Sequence, residues 1–192
     1  MTVTLIRHGQ TFGNSLHRYI GITDEPLCPQ GVAGVQAVGE NTEVKTVYVT
    51  PLQRTGQTAG LLFPKARQIS VPELQEMNFG IFENRNAQEM EQDLPFRAWV
   101  DSGCLSPCPG GEAMGDFRRR VCQRFAQLVA DSREDLTLVV HGGTIMAIMS
   151  QFALPHRDYY DWRLKNCRGY CCDVTSLQPL KLENVRPWKI SE

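Results

Sequence analysis

The stretch that decides the fold is Thr2-Val3-Thr4-Leu5-Ile6, followed directly by Arg7-His8-Gly9-Gln10-Thr11. The first of these runs is made of β-branched and apolar residues and predicts a short buried strand. Gly9 has no Cβ and permits a sharp turn after that strand. We therefore expect Arg7 and His8 at the carboxyl end of a strand, the edge at which open α/β sheets bind ligands. A guanidinium beside an imidazole suits phosphate chemistry, because one can hold the oxygens while the other attacks phosphorus.

Two later strands are also predicted to end in a phosphate-binding side chain. Residues 46–50 are rich in β-branched side chains, and Arg54 follows them, just before a predicted helix over 55–62. Residues 136–140 form a near-continuous apolar run, typical of a central strand buried on both faces, and His141 follows directly. A single strand-end histidine is more often structural than catalytic, so it is the repetition that favours a binding site. Because parallel strands place their carboxyl ends at one edge, we expect these side chains to meet.

A carboxylic acid completes the expected set. Residues 73–83 place three acids, Glu73, Glu76 and Glu83, among large apolar side chains. Burial in such surroundings raises the pKa of a carboxyl group and suits it to general acid catalysis. The alternative is an amphipathic loop whose acids are simply exposed. The spacing alone does not choose among the three acids.

The chain as a whole alternates predicted strands and helices. Such alternation is typical of a doubly wound α/β fold with a mostly parallel sheet. At 192 residues the chain is long enough to bury one sizeable core, which favours a single domain over 1–192. No pattern predicts an element beyond residue 178. The other predicted elements are a helix over 31–38, a strand over 68–71, a helix over 86–93, a loop over 101–115, a helix from about 116 to 131 and a helix over 145–154.

Composition and charge argue against several classes of protein. Hydrophobic residues make up 42% and charged residues 21% of the chain, as in ordinary globular proteins, and the formal net charge is −1. A general nucleic-acid-binding protein needs a basic face, so nucleic acid is not an expected partner. No apolar run is long enough to span a bilayer, and no basic start with an apolar leader marks a signal peptide. We therefore expect a cytoplasmic protein with no membrane partner.

The seven cysteines are expected to be reduced thiols, because their number is odd and nothing in the sequence indicates secretion. A zinc site is the alternative, but the spacing is not the usual pair separated by two residues. We therefore expect no metal site. The cysteines are Cys28, Cys104, Cys108, Cys122, Cys167, Cys171 and Cys172.

The strand ends and the motifs around them resemble the histidine phosphatase superfamily, also called the phosphoglycerate mutase-like family. Each motif is short, but together they follow the family's order from residue 3 to about residue 150. The resemblance implies a three-layer α/β/α sandwich around a mostly parallel, doubly wound sheet. The matching motifs are Arg7-His8-Gly9-Gln10-Thr11, Asn14, Arg18, Gly21 with Asp24, Pro26 and Leu27, Gly31, Thr50-Pro51-Leu52 with Arg54, Thr58 and Ala59, Leu74 with Glu76, Phe79, Gly80 and Glu83, Gly110-Gly111-Glu112, and His141-Gly142-Gly143.

The resemblance also implies a role for each polar side chain. His8 would be the nucleophile that forms a phosphohistidine, and Glu76 matches the family's proton donor, which later activates water. Arg7, Arg54 and His141 would bind and stabilise the phosphoryl group during transfer. No metal or other cofactor is implied, because the arginines neutralise charge that Mg²⁺ neutralises in other enzymes. The expected substrate-binding residues are Gln10, Thr11, Asn14, Arg18, Gly21 and Gly142.

Within the family, the chain is most similar to α-ribazole-5′-phosphate phosphatases, which act late in cobalamin assembly. The similarity lies in residues 73–83 and 164–167, and no large mutase-type insertion fits between Glu83 and Gly110. Some residues that border the expected substrate group, rather than the phosphate, depart from the family's common choice. These residues are Phe82, Asn84 and Ala113.

We therefore expect a phosphomonoesterase that hydrolyses a small phosphate monoester and exists as a monomer or a homodimer. The alternatives are a broad-specificity sugar-phosphate phosphatase, a phosphoglycerate mutase, and a phosphate-binding regulatory domain without turnover. A regulatory domain has no need of Glu76, so the complete set of polar side chains favours an enzyme.

Overall fold

The fold is built around one six-stranded sheet, in a computed structural model that describes residues 1–188. The single domain expected over 1–192 stays a prediction, and its last four residues, 189–192, lie outside the described part. The strands are β1 (Thr2–Arg7), β2 (Thr46–Val49), β3 (Arg67–Ser70), β4 (Leu136–Val140), β5 (Gly169–Leu177) and β6 (Leu180–Trp188). The helices are α1 (Phe12–Ser15), α2 (Pro29–Val38), α3 (Gln53–Leu62), α4 (Leu94–Asp101), α5 (Met114–Asp131) and α6 (Gly142–Phe152), with 3₁₀ helices at Pro72–Leu74, Gly80–Phe82 and Tyr159–Trp162.

The sheet is mostly parallel, as the alternation of elements predicts. Its strand order is β3-β2-β4-β1-β5-β6. The first four strands in this order pair in parallel, whereas β5 is antiparallel to β1, and β6 is antiparallel to β5. The two central strands, β4 and β1, are therefore covered by strands on both sides, and both carboxyl ends lie at the same edge.

Alternate residues of the central strands pack into two hydrophobic clusters. Val3 and Leu5 belong to the cluster that contains the apolar residues of α5 and α6, whereas Ile6 belongs to the cluster that contains those of α2 and α3. This division follows because successive side chains of a strand point to opposite faces of the sheet. Helices on both faces give the three-layer α/β/α sandwich that the family resemblance implies.

The segment before α5 corrects two sequence-based predictions. Residues 86–93 form turns rather than a helix, because the side chains of Asn86 and Glu89 each accept from the other residue's backbone N–H at 2.9 Å. The helix begins later, at α4, where Pro95 stands in the first turn. The predicted loop over 101–115 is accordingly shorter and joins the end of α4 to the start of α5 at Met114.

The last part of the described chain forms a β-hairpin that the sequence pattern does not predict. Strands β5 and β6 pair antiparallel, with irregularities in their register, and extend the sheet beyond β1. Elsewhere the predicted elements are found with small shifts, such as α6, which begins at Gly142 rather than at 145. Within residues 1–188 no helix is both long and apolar enough to cross a membrane.

Candidate active site

The two strand-end histidines lie side by side at the carboxyl edge of the sheet. The register of β1 and β4 pairs Arg7 with Val140, and the backbone N–H of His8 donates to the Val140 carbonyl at 3.0 Å. The next residues along the two strands, His8 and His141, therefore meet, with ring centroids 5.2 Å apart in an edge-to-face arrangement. Both side chains are buried.

His8 is held as a neutral imidazole with one nitrogen free. Its Nδ1 lies 2.7 Å from the carbonyl oxygen of Gly9. A carbonyl oxygen only accepts hydrogen bonds, so Nδ1 carries the proton and Nε2 keeps its lone pair. Burial lowers the pKa of His8 well below its usual 6.5, and the positive charges of Arg54 and Arg7 lower it further. The side chain is thus in the form in which an imidazole acts as a nucleophile.

His141 has the opposite arrangement of partners. Its Nε2 lies 3.0 Å from the hydroxyl oxygen of Thr50, whereas its Nδ1 is buried without a hydrogen-bond partner among residues 1–188. Burial, followed by the charge of Arg54, lowers the pKa of His141 well below 6.5. A buried polar atom without a partner is costly and marks a place where a ligand can bind.

Arg7 presents a similar unsatisfied donor. Its Nη1 donates to the carbonyl of Leu164 at 2.5 Å, but its buried Nε has no partner within the described chain. The side chain runs close to the start of α6, where a Cβ on Gly142 would lie 3.4 Å from the Arg7 Nε. Burial lowers the pKa of Arg7, and the nearby Glu76 opposes this shift. Arg7 still stays charged at neutral pH, because an arginine guanidinium does not deprotonate in proteins.

Arg54 is completely buried and is held by main-chain carbonyls. Its Nη1 donates to Thr23 at 2.8 Å, and its Nη2 donates to Gly21 at 2.7 Å. Its Nε, also buried, has no partner in the described residues. The loop that supplies these carbonyls therefore orients the guanidinium and leaves one of its donors available.

Glu83 fixes the loop that holds Arg54, and the sequence pattern does not reveal this role. Its carboxylate accepts from five donors, namely the backbone N–H groups of Gly21, Ile22, Thr23 and Phe79 and the hydroxyl of Thr23, at 2.6–3.2 Å. A Cβ on Gly21 would collide with the Met77 carbonyl and with Glu83 itself, so glycine is required there. The only local signal in the sequence is that Glu83 lies in an apolar segment.

Glu76 is the acid that lies beside the arginines. Its side chain is buried, and its two oxygens accept from the backbone N–H groups of Gly143 at 2.8 Å and Met77 at 3.0 Å. Burial raises the pKa of this carboxyl group, and the two hydrogen bonds and the charges of Arg54 and Arg7 oppose the rise only in part. A raised pKa favours the protonated form that a general acid needs. Glu73, by contrast, is exposed.

Arg7 and Glu76 line a cavity of about 460 Å³, whereas His8, Arg54 and His141 are not part of its wall. Arg7, Asn14, Arg18, Glu76 and Arg163 form its charged and polar part, and most of the remaining wall is aromatic or apolar. Tyr19 links several of these rings, with centroids 5.2 Å from Phe79 and 5.7 Å from Trp99. The aromatic and sulphur-containing side chains of the wall are Tyr19, Met77, Phe79, Trp99, Cys104, Met114, Met146, Tyr159 and Tyr160.

The sequence profile of the Histidine phosphatase superfamily (branch 1) matches residues 3–182. The chain belongs to this superfamily. The family resemblance, the fold and the expectation of a phosphatase enzyme are thereby confirmed. The match spans every polar group described above, from β1 to the start of α6 and beyond.

Relatives of this histidine phosphatase carry two different activities in their names. The chain is 29% identical over 178 residues to a protein of Yersinia pestis (strain Pestoides F) named "Probable phosphoglycerate mutase GpmB", with 87% of this chain and 82% of that protein covered. The alpha-ribazole phosphatase of Shigella flexneri has a similar structure, with a TM-score of 0.80, 24% identity and 92% of each chain covered. A phosphoglycerate mutase of Thermus thermophilus gives a TM-score of 0.73 at 25% identity, with 100% of each chain covered.

The residues expected to bind substrate occupy different places in this histidine phosphatase. Asn14, Arg18 and Gly142 line the cavity, and Gln10 lines a neighbouring groove. Thr11 instead caps α1, where its hydroxyl accepts from the Asn14 backbone N–H at 3.2 Å. Gly21, as described above, lies against Glu83 and accepts from Arg54. Thr11 and Gly21 are therefore outside the cavity wall. Thr11 supports Asn14, which contacts the cavity, and Gly21 supports Arg54, which lies behind the wall.

The cysteines are free thiols, and no group of three His, Cys, Asp or Glu side chains within residues 1–188 is placed to hold a metal ion. Cys104 lines the cavity, and burial raises its pKa. Burial raises the pKa of Cys108, close by along the chain, to about 11. These thiols are consequently protonated and unreactive at neutral pH.

We predict that Glu83→Gln weakens the binding of inorganic phosphate by about tenfold, measured by isothermal titration calorimetry. An amide nitrogen in place of one carboxylate oxygen would face backbone N–H groups, so the loop that holds Arg54 would shift. Glu73→Gln is the matched control, because this side chain is exposed and lies outside the cavity. Equal phosphate affinity in Glu83→Gln and wild type would contradict the role assigned to the loop.

Proposed function

We propose that this protein is a metal-independent phosphomonoesterase that works through a phosphohistidine on His8. The observation that carries the proposal is the state of His8, whose Nδ1 is bonded to the Gly9 carbonyl and whose pKa is lowered by burial. Three buried nitrogens without partners surround it, namely Nε of Arg7, Nε of Arg54 and Nδ1 of His141. The oxygens of a phosphoryl group would satisfy them.

In the first step, Nε2 of His8 attacks phosphorus and the bond from phosphorus to the ester oxygen breaks. Protonated Glu76 gives its proton to the departing oxygen, so the alcohol leaves neutral and the carboxyl group becomes a carboxylate. The Nδ1 proton of His8 stays on the ring and keeps its bond to Gly9, which stabilises the cationic phosphohistidine. The two arginines neutralise the charge on the phosphoryl oxygens.

In the second step, the carboxylate of Glu76 takes a proton from water as the water oxygen attacks phosphorus. The bond from phosphorus to Nε2 breaks and returns the electron pair to His8. Inorganic phosphate leaves, and Glu76 is again protonated. Each group therefore ends the cycle in the state in which it began.

His141 acts on the phosphoryl group through Nδ1. When the hydroxyl of Thr50 donates to Nε2, the neutral ring carries its proton on Nδ1, which is the buried nitrogen without a partner. That N–H then donates to a phosphoryl oxygen. Thr50 thus selects the tautomer of His141, as the Gly9 carbonyl does for His8.

We predict that His8→Ala abolishes both hydrolysis of p-nitrophenyl phosphate and any acid-labile phosphoenzyme. Removal of the imidazole leaves no nucleophile at this position, so the rate should fall by at least about 10⁴-fold. The measurement is release of p-nitrophenolate, with phosphoenzyme detected after acid-free quenching of a reaction with ³²P-labelled ester.

EDTA is the control for this prediction, since the proposed mechanism predicts full activity in its presence. Loss of activity with EDTA, or retention of activity in His8→Ala, would show that another group carries the reaction.

The raised pKa of Glu76 predicts the pH profile of the first step. Phosphorylation should fall as pH rises through the pKa of Glu76, because the acid loses its proton. The low pKa of His8 keeps the nucleophile neutral as pH falls, so the acid limb should lie well below pH 6.5. In Glu76→Gln the alkaline limb should disappear, and the single-turnover rate with an alkyl phosphate should fall by about 10²–10⁴-fold.

Rapid-quench measurements of phosphoenzyme formation check this prediction. The burst with p-nitrophenyl phosphate should survive in Glu76→Gln, because its leaving group needs no proton. Glu73→Gln should keep the wild-type profile. An unchanged alkaline limb in Glu76→Gln would assign the general acid to another residue.

We further propose that the alcohol of the substrate carries a planar aromatic group, and that α-ribazole 5′-phosphate is a candidate. What supports this is the aromatic wall of the cavity, where the ring of Tyr19 packs against those of Phe79 and Trp99. Such a wall stacks on a flat apolar ring. Phosphoglycerate mutase activity is the second candidate, because curated relatives at 29% identity carry that name.

A substrate panel separates these candidates. We predict that kcat/KM is higher for α-ribazole 5′-phosphate than for glucose 6-phosphate and 3-phosphoglycerate, and that Trp99→Ala removes much of this preference. Phosphate release and formation of 2-phosphoglycerate are measured in parallel. A faster conversion of 3- to 2-phosphoglycerate than hydrolysis of any ester would favour the mutase instead.

A further inference from the structure

An open groove borders the active-site cavity and is lined by positive charge. Its volume is about 990 Å³, and it shares part of its wall with the cavity, including Arg7, Asn14, Arg18 and Arg163. The two spaces therefore meet at Arg7, where the reacting phosphate would lie. No Asp or Glu of the described chain lines it. The cationic side chains of its wall are Arg7, Arg18, Arg163, Lys165 and Arg168. A chain with a net charge of −1 thus concentrates cations at this one place.

Most of these cations have no carboxylate to neutralise them. Arg18 pairs with Glu89 at 2.6 Å, but no ion pair within residues 1–188 involves Arg163, Lys165 or Arg168. Arg163 lies over the ring of Tyr160 instead. The charge of Arg163 also lowers the pKa of Arg7, which indicates that like charges are crowded there. An anion in the groove would relieve this repulsion.

The segment that carries these cations is fastened to the catalytic strand. The side-chain amide of Asn166 donates to the carbonyl of His8 at 3.0 Å and to Oδ1 of Asn14 at 3.1 Å. The backbone N–H of Arg7 donates to the Arg168 carbonyl at 2.9 Å, and the Cys167 N–H donates to the Arg7 carbonyl at 3.1 Å. Residues 163–168 are therefore held at a fixed distance from His8, although their cationic side chains are exposed.

We infer that this groove binds a second phosphate-class oxyanion beside the phosphate that reacts. Guanidinium groups suit such a ligand because they donate two parallel hydrogen bonds to its oxygens, and the ammonium of Lys165 adds a mobile charge. The amides of Gln10 and Gln30, also in the wall, add neutral donors. Lys165 and Arg168 line only the groove, whereas most of the aromatic wall lines only the other cavity. The second anion would therefore lie on the side of the shared wall away from the alcohol.

Two sources can supply this anion, and both have the same chemistry. One is a second phosphate on the substrate, and the other is free inorganic phosphate. The inference rests on the proposed function, because the position of the first phosphate is taken from the proposed role of His8. Direct measurement of phosphate binding nevertheless tests the groove without any turnover.

The variant that tests the groove is Lys165→Gln/Arg168→Gln. Its matched control is Lys65→Gln/Arg67→Gln, which removes the same charges from exposed side chains outside both spaces. Hydrolysis of adenosine 5′-monophosphate is compared with that of adenosine 3′,5′-bisphosphate, and the stoichiometry of inorganic phosphate is measured by calorimetry. Thermal unfolding of each variant, together with the single variant Lys165→Gln, verifies that a loss of binding is not a loss of folding.

If the second anion belongs to the substrate, wild type should prefer the bisphosphate by about tenfold in kcat/KM, and only the groove variant should lose this preference. If it is free phosphate, wild type and control should bind two equivalents and the groove variant one. The inference would be overturned if wild type neither preferred the bisphosphate nor bound a second equivalent of phosphate. It would also be overturned if the groove variant behaved like the control. Loss of the second equivalent in a protein that hydrolyses no ester would support the groove and contradict the phosphomonoesterase.

Discussion

The parallel pairing of β1 with β4 is the constraint on which the site depends. The hydrogen bond from the His8 N–H to the Val140 carbonyl sets the register at the end of both strands. With that register, the residues that follow the strands are two histidines whose rings touch. A slip of one residue would turn one of them to the opposite face of the sheet, because side chains alternate along a strand. The juxtaposition of the two histidines is thus a consequence of how two buried strands align.

Burial gives the site its electrostatic character. Charged groups removed from water lose hydration energy, and the two arginines recover part of it through main-chain carbonyls of the 20–23 loop and Leu164. The same burial lowers the pKa of His8 and raises that of Glu76, so it favours the uncharged form of each side chain. Within residues 1–188, Nε of Arg7, Nε of Arg54 and Nδ1 of His141 are buried without a partner, and an anion bound among them would offset their cost.

The parts of the structure that sequence predicts are those set by local pattern. Apolar runs such as 136–140 identify buried strands. A polar residue that follows such a run lies at the carboxyl end of its strand, whatever position that strand takes in the sheet. Glu76 could not be chosen among three acids, because its burial depends on Gly143, which comes from a distant helix. Glu83 could not be assigned for a similar reason, since four of its five donors lie in a loop about sixty residues earlier.

The errors of prediction have physical causes of the same kind. Residues 86–93 have a composition that suits a helix, yet Asn86 and Glu89 bond each other's backbone and close a turn. The hairpin of β5 and β6 lies at an edge of the sheet, where half-exposed strands mix charged and apolar residues and lose a clear alternation.

Three consecutive residues at the start of α6 each contact a different part of the candidate site. His141 caps the helix and lies beside His8, Gly142 lies against the Arg7 side chain, and the N–H of Gly143 binds Glu76. A movement of this turn would therefore displace the contacts to His8, Arg7 and Glu76 together rather than one at a time. The cavity wall includes Gly142 and Gly143 of this turn, but most of it comes from other segments, among them α4, the loop around Tyr19 and the 3₁₀ helix that contains Tyr159. Substitutions in those segments can therefore reshape the wall without moving the start of α6.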